Sequence, residues 1–354
     1  VAVQARGMRD LGTLGGRESD GVDINVWGQV AGTADTADEN ARAFRWSPSE
    51  GMKDLGSVSG ANNSRAIAIN DLGQVIGDAF TAMGRHAFRW TASGGIQDLG
   101  TLGEYDTQPA GINNLGQVAG RSLLSNGNFH AFRWTSTGGL RDLGTLGGPS
   151  SVATAINDLG QVVGGAKLAD GSTHAFRWTA AGGMQDLGAL GGQYSNATGI
   201  NVRGQVIGTY RLNDGGDRAF RWSASEGMRD LGAFYPHAIN ALGQVVGVGS
   251  GVPGPIRAIR WTASGGMQDL GTLGGRESYA YDINDLGQIV GMADTNVEFQ
   301  PHAFRWTPSG GMTDLGTLEG MYDSTAGAIN IRGQVTGVSS MADGERRHAF
   351  RWSP

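Results

Sequence analysis

The chain contains no cysteine, which excludes a disulfide framework, a thiolate zinc site and a thiol nucleophile. It has no basic excess either: 27 Lys and Arg face 33 Asp and Glu, for a net charge of -6, and no run of five like charges occurs. A nucleic-acid partner is therefore not expected, because phosphate binding requires a basic footprint. No apolar stretch approaches the roughly 18 residues of a membrane span, so membrane insertion is not expected. "VAVQARGMRDLG" at the start has no apolar leader core, so any leader is expected to have been removed already. Ser-His-Asp order, HExxH, a phosphate loop and metal-spaced histidine pairs are all missing.

What the chain has in excess is glycine, 62 of 354 residues, with no Gly-X-Y period, which excludes collagen and implies many turns. The stretch "HAFRWTASGGIQDLGTLG" at 86–103 returns in near copies at 130, 174 and 302. With the Gly of "GMRDLG" as marker, eight copies begin at 7, 51, 95, 139, 183, 227, 266 and 311. One unit recurring from end to end points to one domain, 1–354, rather than two or three.

Each copy holds four short segments of the type "MxDLGTL", "AxAIN", "GQVVG" and "HAFRW". None shows apolar residues at i, i+3, i+4 and i+7, and each is bounded by Gly, Asn, Asp or Ser, so all four read as strands. "AINDLGQVVG" is the clearest hairpin: Asn157 to Gly160 suits a type I turn followed by a glycine in the left-handed region, and the Asn and Gly stand in all eight copies. Four strands in about 44 residues is the size of a propeller blade. The predicted fold is all-β: an eight-bladed β-propeller of four-stranded antiparallel blades, with "AIN" innermost and "DLG" outermost. A solenoid would need a shorter coil with few tight hairpins. The last copy stops at "HAFRWSP" with no "DLG" strand, whereas the first has a spare one. Met8 to Leu14 is thus expected to complete the last blade, closing the ring 3+1.

Alternation along "HAFRW" puts His, Phe and Trp on one face and Ala and Arg on the other. The Trp of each copy, such as Trp178, reads as core between blades. The Arg of each copy, such as Arg177, and the Asp of each "DLG", such as Asp142, read as structural charge pairs of bidentate type, since eight identical pairs do not make one catalytic centre.

"DLGTLGG", "AINDLGQVVG" and "HAFRW" resemble the bacterial extracellular HAF-repeat family, and the resemblance spans essentially the whole chain. It implies a secreted or surface-associated protein, with no agreed activity and no catalytic residue to carry over. Copies 1, 5 and 6 depart from the His-Ala-Phe triplet, with Arg42, Arg218 and Arg257 in the His position.

Function is expected on the face formed by the strand 4-to-1 and 2-to-3 connections, because the other face consists of short repeated turns. Six of the seven tyrosines, Tyr105, Tyr194, Tyr235, Tyr279, Tyr281 and Tyr322, fall between "DLG" and "AIN". Symmetry breaks in two places. Copy 6 is five residues short at "GAFYPHAIN", and copies 1 and 7 share "GGRES" and place Asp23 and Asp282 where most copies have Ala or Gly. Ring closure makes these copies neighbours, so the candidate ligand-binding residues are Asp23, Tyr235, His237, Tyr279, Tyr281, Asp282 and Tyr322, on the variable face near the channel mouth. Exposed tyrosines suit sugar stacking, so the expected partner is a saccharide, with an extracellular protein as the other binding reading. A polysaccharide-cleaving lyase or hydrolase and a purely structural repeat stay open. No cofactor is expected, although "ADTADEN" offers carboxylates of a kind that calcium accepts, and a monomer is the expected state.

Overall fold

The structure, a computed structural model, describes residues 7–103, 106–249, 254–297, 300–342 and 346–354; Tyr105 lies outside the described residues. The described residues contain 32 strands and no helix. Six sheets have four strands each, and an eight-stranded one consists of two such blades joined by the single bridge Thr173↔Tyr194. The eight blades follow the eight copies. In the fourth, the order from the axis outward is Gly147–Ile156, Val162–Leu168, Thr173–Thr179 and Gly183–Asp186. The N-terminal strand Gly7–Asp10 lies antiparallel along Arg347–Ser353, as the outermost strand of the eighth blade.

The turn after each inner strand is built by its Asn. Asn157 N–H donates to Gln161 O at 3.1 Å, and Gly160 N–H donates to Asn157 O at 2.9 Å. Gly160 sits at φ +71°, and a Cβ there would lie 2.7 Å from Gln117 Oε1 of the preceding blade. The left-handed backbone therefore demands glycine, and a Cβ would also push the Gln117 side chain aside. The Asn157 side chain accepts from Leu159 N and Gln161 N and donates to Gln161 Oε1. Its other N–H reaches Asn201 O of the next blade at 3.0 Å. The same inter-blade bond recurs at each step from Asn25 onward and ends with Asn330 Nδ2 donating to Asn25 O at 2.8 Å. A ring of buried amides thus encircles the axis.

The core lies between blades rather than within them. Trp178 and Phe176, both buried, share one apolar cluster with Ala131 and Leu143 of the third blade. Arg177 departs from the expected ion pair. Across the outer hairpin it stands opposite Gln185, while Asp186 stands opposite Phe176. Adjacent strand positions point to opposite faces, so the Arg and the Asp of one hairpin cannot meet. Asp142 instead accepts from or pairs with His130 at 2.9 Å, and Asp186 pairs likewise with His174. In the fifth and sixth blades Arg218 and Arg257 take the His position and pair with Asp230 and Asp269, so these two departures from the triplet keep the pairing. Arg177 reaches across to the next blade, 5.5 Å from the Trp222 ring centroid. All eight such Arg–Trp contacts are present at 4.9–5.7 Å, including Arg351 over Trp46. A cation over an indole contributes about 0.5–2 kcal/mol, and here it ties each blade to the next.

Candidate functional site

Every inner strand carries a β-bulge four to two residues before its Asn, as between Ala153 and Ala155 or Pro236 and Ala238. A bulge leaves one residue unpaired and re-aims its side chain. Around the axis these residues are Val22, Ile67, Ala110, Thr154, Thr198, His237, Tyr281 and Gly327. The opposing glycine of the second strand, such as Gly164, is obligatory, because a Cβ would fall 1.9 Å from Val152 O.

His237 occupies one bulge. It shares a hydrogen with Ala280 O of the next blade at 2.7 Å, as Thr154 and Thr198 donate to Ala197 O and Pro236 O. A carbonyl only accepts, so Nδ1 carries the proton. The ring stacks on Tyr281 at 5.6 Å, and Tyr281 stacks on Tyr279 at 6.4 Å. The Tyr279 hydroxyl donates to Glu277 Oε2 at 2.9 Å, and burial together with that carboxylate pushes its pKa up to about 12. His237, Tyr281 and Tyr279 thus form one aromatic row across blades 6 and 7.

Asp23 and Asp282 lie two residues before their Asn, so they sit near the repeated-turn end of the channel rather than at the variable face. Asp23 accepts from Ile24 N and, in the next blade, Ile69 N; Asp282 accepts from Ile283 N and Ile329 N. Each braces two neighbouring inner strands. Burial, with smaller contributions from the Asp282 and Asp71 charges, raises the Asp23 pKa to about 6, against its two backbone hydrogen bonds; burial raises that of Asp282 too. A carboxyl whose folded-state pKa exceeds its unfolded value contributes stability that is complete below about pH 4 and is lost as pH rises through about 6. NMR titration of the Asp23 carboxyl should show that midpoint. The stability of the wild type relative to Asp23→Asn should fall over the same window and stay flat above it. A midpoint near 4 would refute the assignment.

Tyr235 stands apart from that row. Its hydroxyl donates to Asp217, which also pairs with Arg211, and Arg211 packs on Tyr194. Tyr322 is placed by its backbone, bonded to Ser340 O and to Gln300 Nε2. The candidate residues therefore divide into an aromatic row, a pair of channel-wall carboxylates, and two separate positions toward the variable face.

The variable face carries a groove the sequence reading did not single out. Between blades 1 and 2 lies a cavity of about 540 Å³ lined by Glu18, Asp20, Asp35, Arg65, Phe80 and Arg347, among others. Arg65 is fixed by a bidentate bond to the buried Asp78, at 2.7 and 2.9 Å, and packs 5.4 Å from the Phe80 ring centroid. Arg347 donates to Glu18 at 2.8 Å. Burial and the nearby Glu18 charge raise the pKa of Asp20 against the pull of Arg347, and burial raises that of Asp35. A second cavity of about 550 Å³ continues from it over Gly15, Gly16 and Arg17, and blade 7 has a counterpart of about 600 Å³ over Gly274, Gly275, Arg276, Glu277 and Asp294. Blade 4 shares the long inner strand but has Pro149, Ser150 and Lys167 at the matching positions. The backbone form thus does not require the carboxylates. Among the described residues no group of three or more His, Asp or Glu side chains converges as a metal would require. The signal that would have found the groove is the position five before each Asn, where Asp20, Arg65, Gln108, Val152, Asn196, Tyr235, Tyr279 and Thr325 supply seven residue types in eight copies.

No family model and no curated protein matches the chain. Solved structures do. The β-propeller domain of the Trilobed protease from Pyrococcus furiosus, described as having an open velcro topology, is 8% identical, with a TM-score of 0.53 over 94% of this chain and 95% of that one. The fold is a β-propeller. A puromycin hydrolase is 15% identical, TM-score 0.52, over 92% of this chain, and a puromycin-hydrolyzing peptidase from Mycobacterium tuberculosis is 11% identical, TM-score 0.52, over 88%. This propeller spans only 58% and 56% of those two chains. At such identities the likeness concerns the fold alone.

Proposed function

We propose that this propeller is a secreted or surface-associated binding module that recognises a saccharide through the variable face, with the groove between blades 1 and 2 as its principal site. The observation that carries the reading is the groove itself: a cavity of about 540 Å³ combining carboxylates, a guanidinium held in place by Asp78, and Phe80. Carboxylates accept from sugar hydroxyls, Arg65 donates to ring and hydroxyl oxygens, and an aromatic ring covers apolar C–H faces. The resemblance to extracellular repeats supports the location.

A glycan array followed by calorimetry on the best ligand tests this. Asp20→Asn and Phe80→Ala should each weaken binding at least tenfold, about 1.4 kcal/mol, with melting temperature little changed. Normal binding by both variants, or no glycan bound at all, would overturn the proposal. A second reading, polysaccharide cleavage, is favoured by Asp20 and Asp35, whose raised pKa values beside Glu18 suit an acid and base pair. Release of reducing ends or unsaturated products from a polysaccharide panel, abolished in Asp20→Asn, would establish it.

A further inference from the structure

The repeated-turn face has a property its repetitiveness conceals. The second residue after each Asn forms a turn tip, and six of the eight tips are large apolar side chains in solvent: Trp27, Leu72, Leu115, Leu159, Leu242 and Leu286, 57–68% exposed. Arg203 and Arg332 occupy the other two, each preceded by an exposed apolar residue, Val202 or Ile331. The tips are joined side to side. Trp27 Nε1 donates to Asp71 O while Arg332 packs 5.4 Å from the Trp27 ring centroid, and Asn114 links Asp71 to Asp158. These contacts link the tips of blades 8, 1, 2, 3 and 4, and Ala241 N–H donating to Asp285 links blades 6 and 7, so the eight tips form a crown around the axial opening. Soluble monomers rarely expose so extended an apolar surface without a partner.

We propose that this crown docks against the crown of a second copy of this chain, back to back, leaving the two variable faces outward. The charges on the crown select both the partner and the register. They comprise Asp71, Asp158 and Asp285, on blades 2, 4 and 7, and Arg203 and Arg332, on blades 5 and 8. Glu50 and Glu226, on the outer hairpins of blades 1 and 5, are already bonded to Arg45 and Arg221. A two-fold axis lying in the plane of the crown makes each tip face a tip of the other copy, as an isologous contact requires. With eight blades there are eight such axes. The axis that passes between blades 7 and 8 and between blades 3 and 4 sets Arg203 against the partner's Asp71 and Arg332 against the partner's Asp285. It also sets Asp158 against the partner's Asn114 and Trp27 against the partner's Leu242. Each pairing occurs twice. Of the eight axes, this one matches both arginines to aspartates and opposes no like charges, whereas the others leave an arginine unmatched or bring two aspartates or two arginines together. Self-complementarity of this kind fits another copy of the chain better than a lipid surface, which would place no constraint on the order of charges around the ring.

Sedimentation velocity of the full chain over a concentration series tests the proposal. The wild type should form a dimer. Arg332→Asp alone and Asp285→Arg alone should each weaken the dimer at least tenfold, and the double exchange, Arg332→Asp with Asp285→Arg, should restore it. Circular dichroism would show each variant folded; if either single variant fails to fold, the exchange of Arg203 with Asp71 provides the same comparison. A wild type that stays monomeric at every concentration, a double exchange that fails to restore the dimer, or binding of the monomer to phosphatidylcholine vesicles through the crown would each overturn it.

Discussion

Deleting residues 1–14 is expected to lower the melting temperature by roughly 7 °C and to make the protein aggregate. The strand Gly7–Asp10 contributes the outer ladder of the eighth blade, with Met8 opposite Trp352 and Asp10 opposite Phe350. Leu11 continues it through a 3.0 Å bond to Ala349 O and is buried with Ile24, Phe44, Trp46 and Ala349. Asp10 pairs with His348 at 2.7 Å. Losing a buried leucine costs about 2–5 kcal/mol, and each net hydrogen bond adds about 1 kcal/mol. A deficit of ~5 kcal/mol in a chain of this size converts to a shift of the stated order. The exposed edge of Arg347–Ser353 would then be a template for pairing between molecules. Moving the same segment to follow Pro354 should restore both melting temperature and solubility, because the strand does not care from which end it arrives. Calorimetry with light scattering checks this, and a deletion that melts with the intact protein would show that the first strand does not hold the ring.

The second large effect is expected at Asn157. Replacing it with Ala should cost about 3–5 kcal/mol, because one buried side chain makes four hydrogen bonds. The change orphans the Leu159 and Gln161 N–H groups and Gln161 Oε1, and leaves Asn201 O only the bond from Gly204 N–H; each buried polar group left without a partner costs about 1–3 kcal/mol. Asn157→Asp should be nearly as costly. The carboxylate still accepts from the two N–H groups, but it cannot donate to Asn201 O, and it places a charge against that oxygen. Asp158→Ala, one residue further along on an exposed tip, should cost under about 1 kcal/mol. Urea denaturation of the three variants measures the differences. Equal, small losses in all three would mean that the amide ring is dispensable.

The strands, their order and the blade count were legible because eight copies repeat one pattern: any feature present in all of them, such as Asn157, Gly160 or Trp178, has to serve the shared scaffold. The partner of Arg177 was misread for a reason of parity. Spacing along the chain places Arg and Asp in the same hairpin, but which faces they occupy depends on the register of that hairpin, and the register puts Asp186 opposite Phe176. The candidate site was legible only in part. Departures from the repeat drew attention to blades 1, 6 and 7, yet the His237–Tyr281–Tyr279 row, the strand-bracing role of Asp23 and the groove at Asp20 and Arg65 all depend on contacts between blades.

The sequence by itself determined the unit: four short strands, a glycine turn fixed by an asparagine, and a number of copies that sets the number of blades. Those features follow from local dihedral preferences and from alternation along a strand, both of which are written within one copy. Tertiary structure decided what happens between copies. Packing of one blade on the next set Arg177 over Trp222, carried the amide of each Asn to its neighbour, and gave Asp23 its raised pKa by burying it. Such effects arise from residues 39 or more positions apart in the chain, brought together only when the blades assemble around the axis.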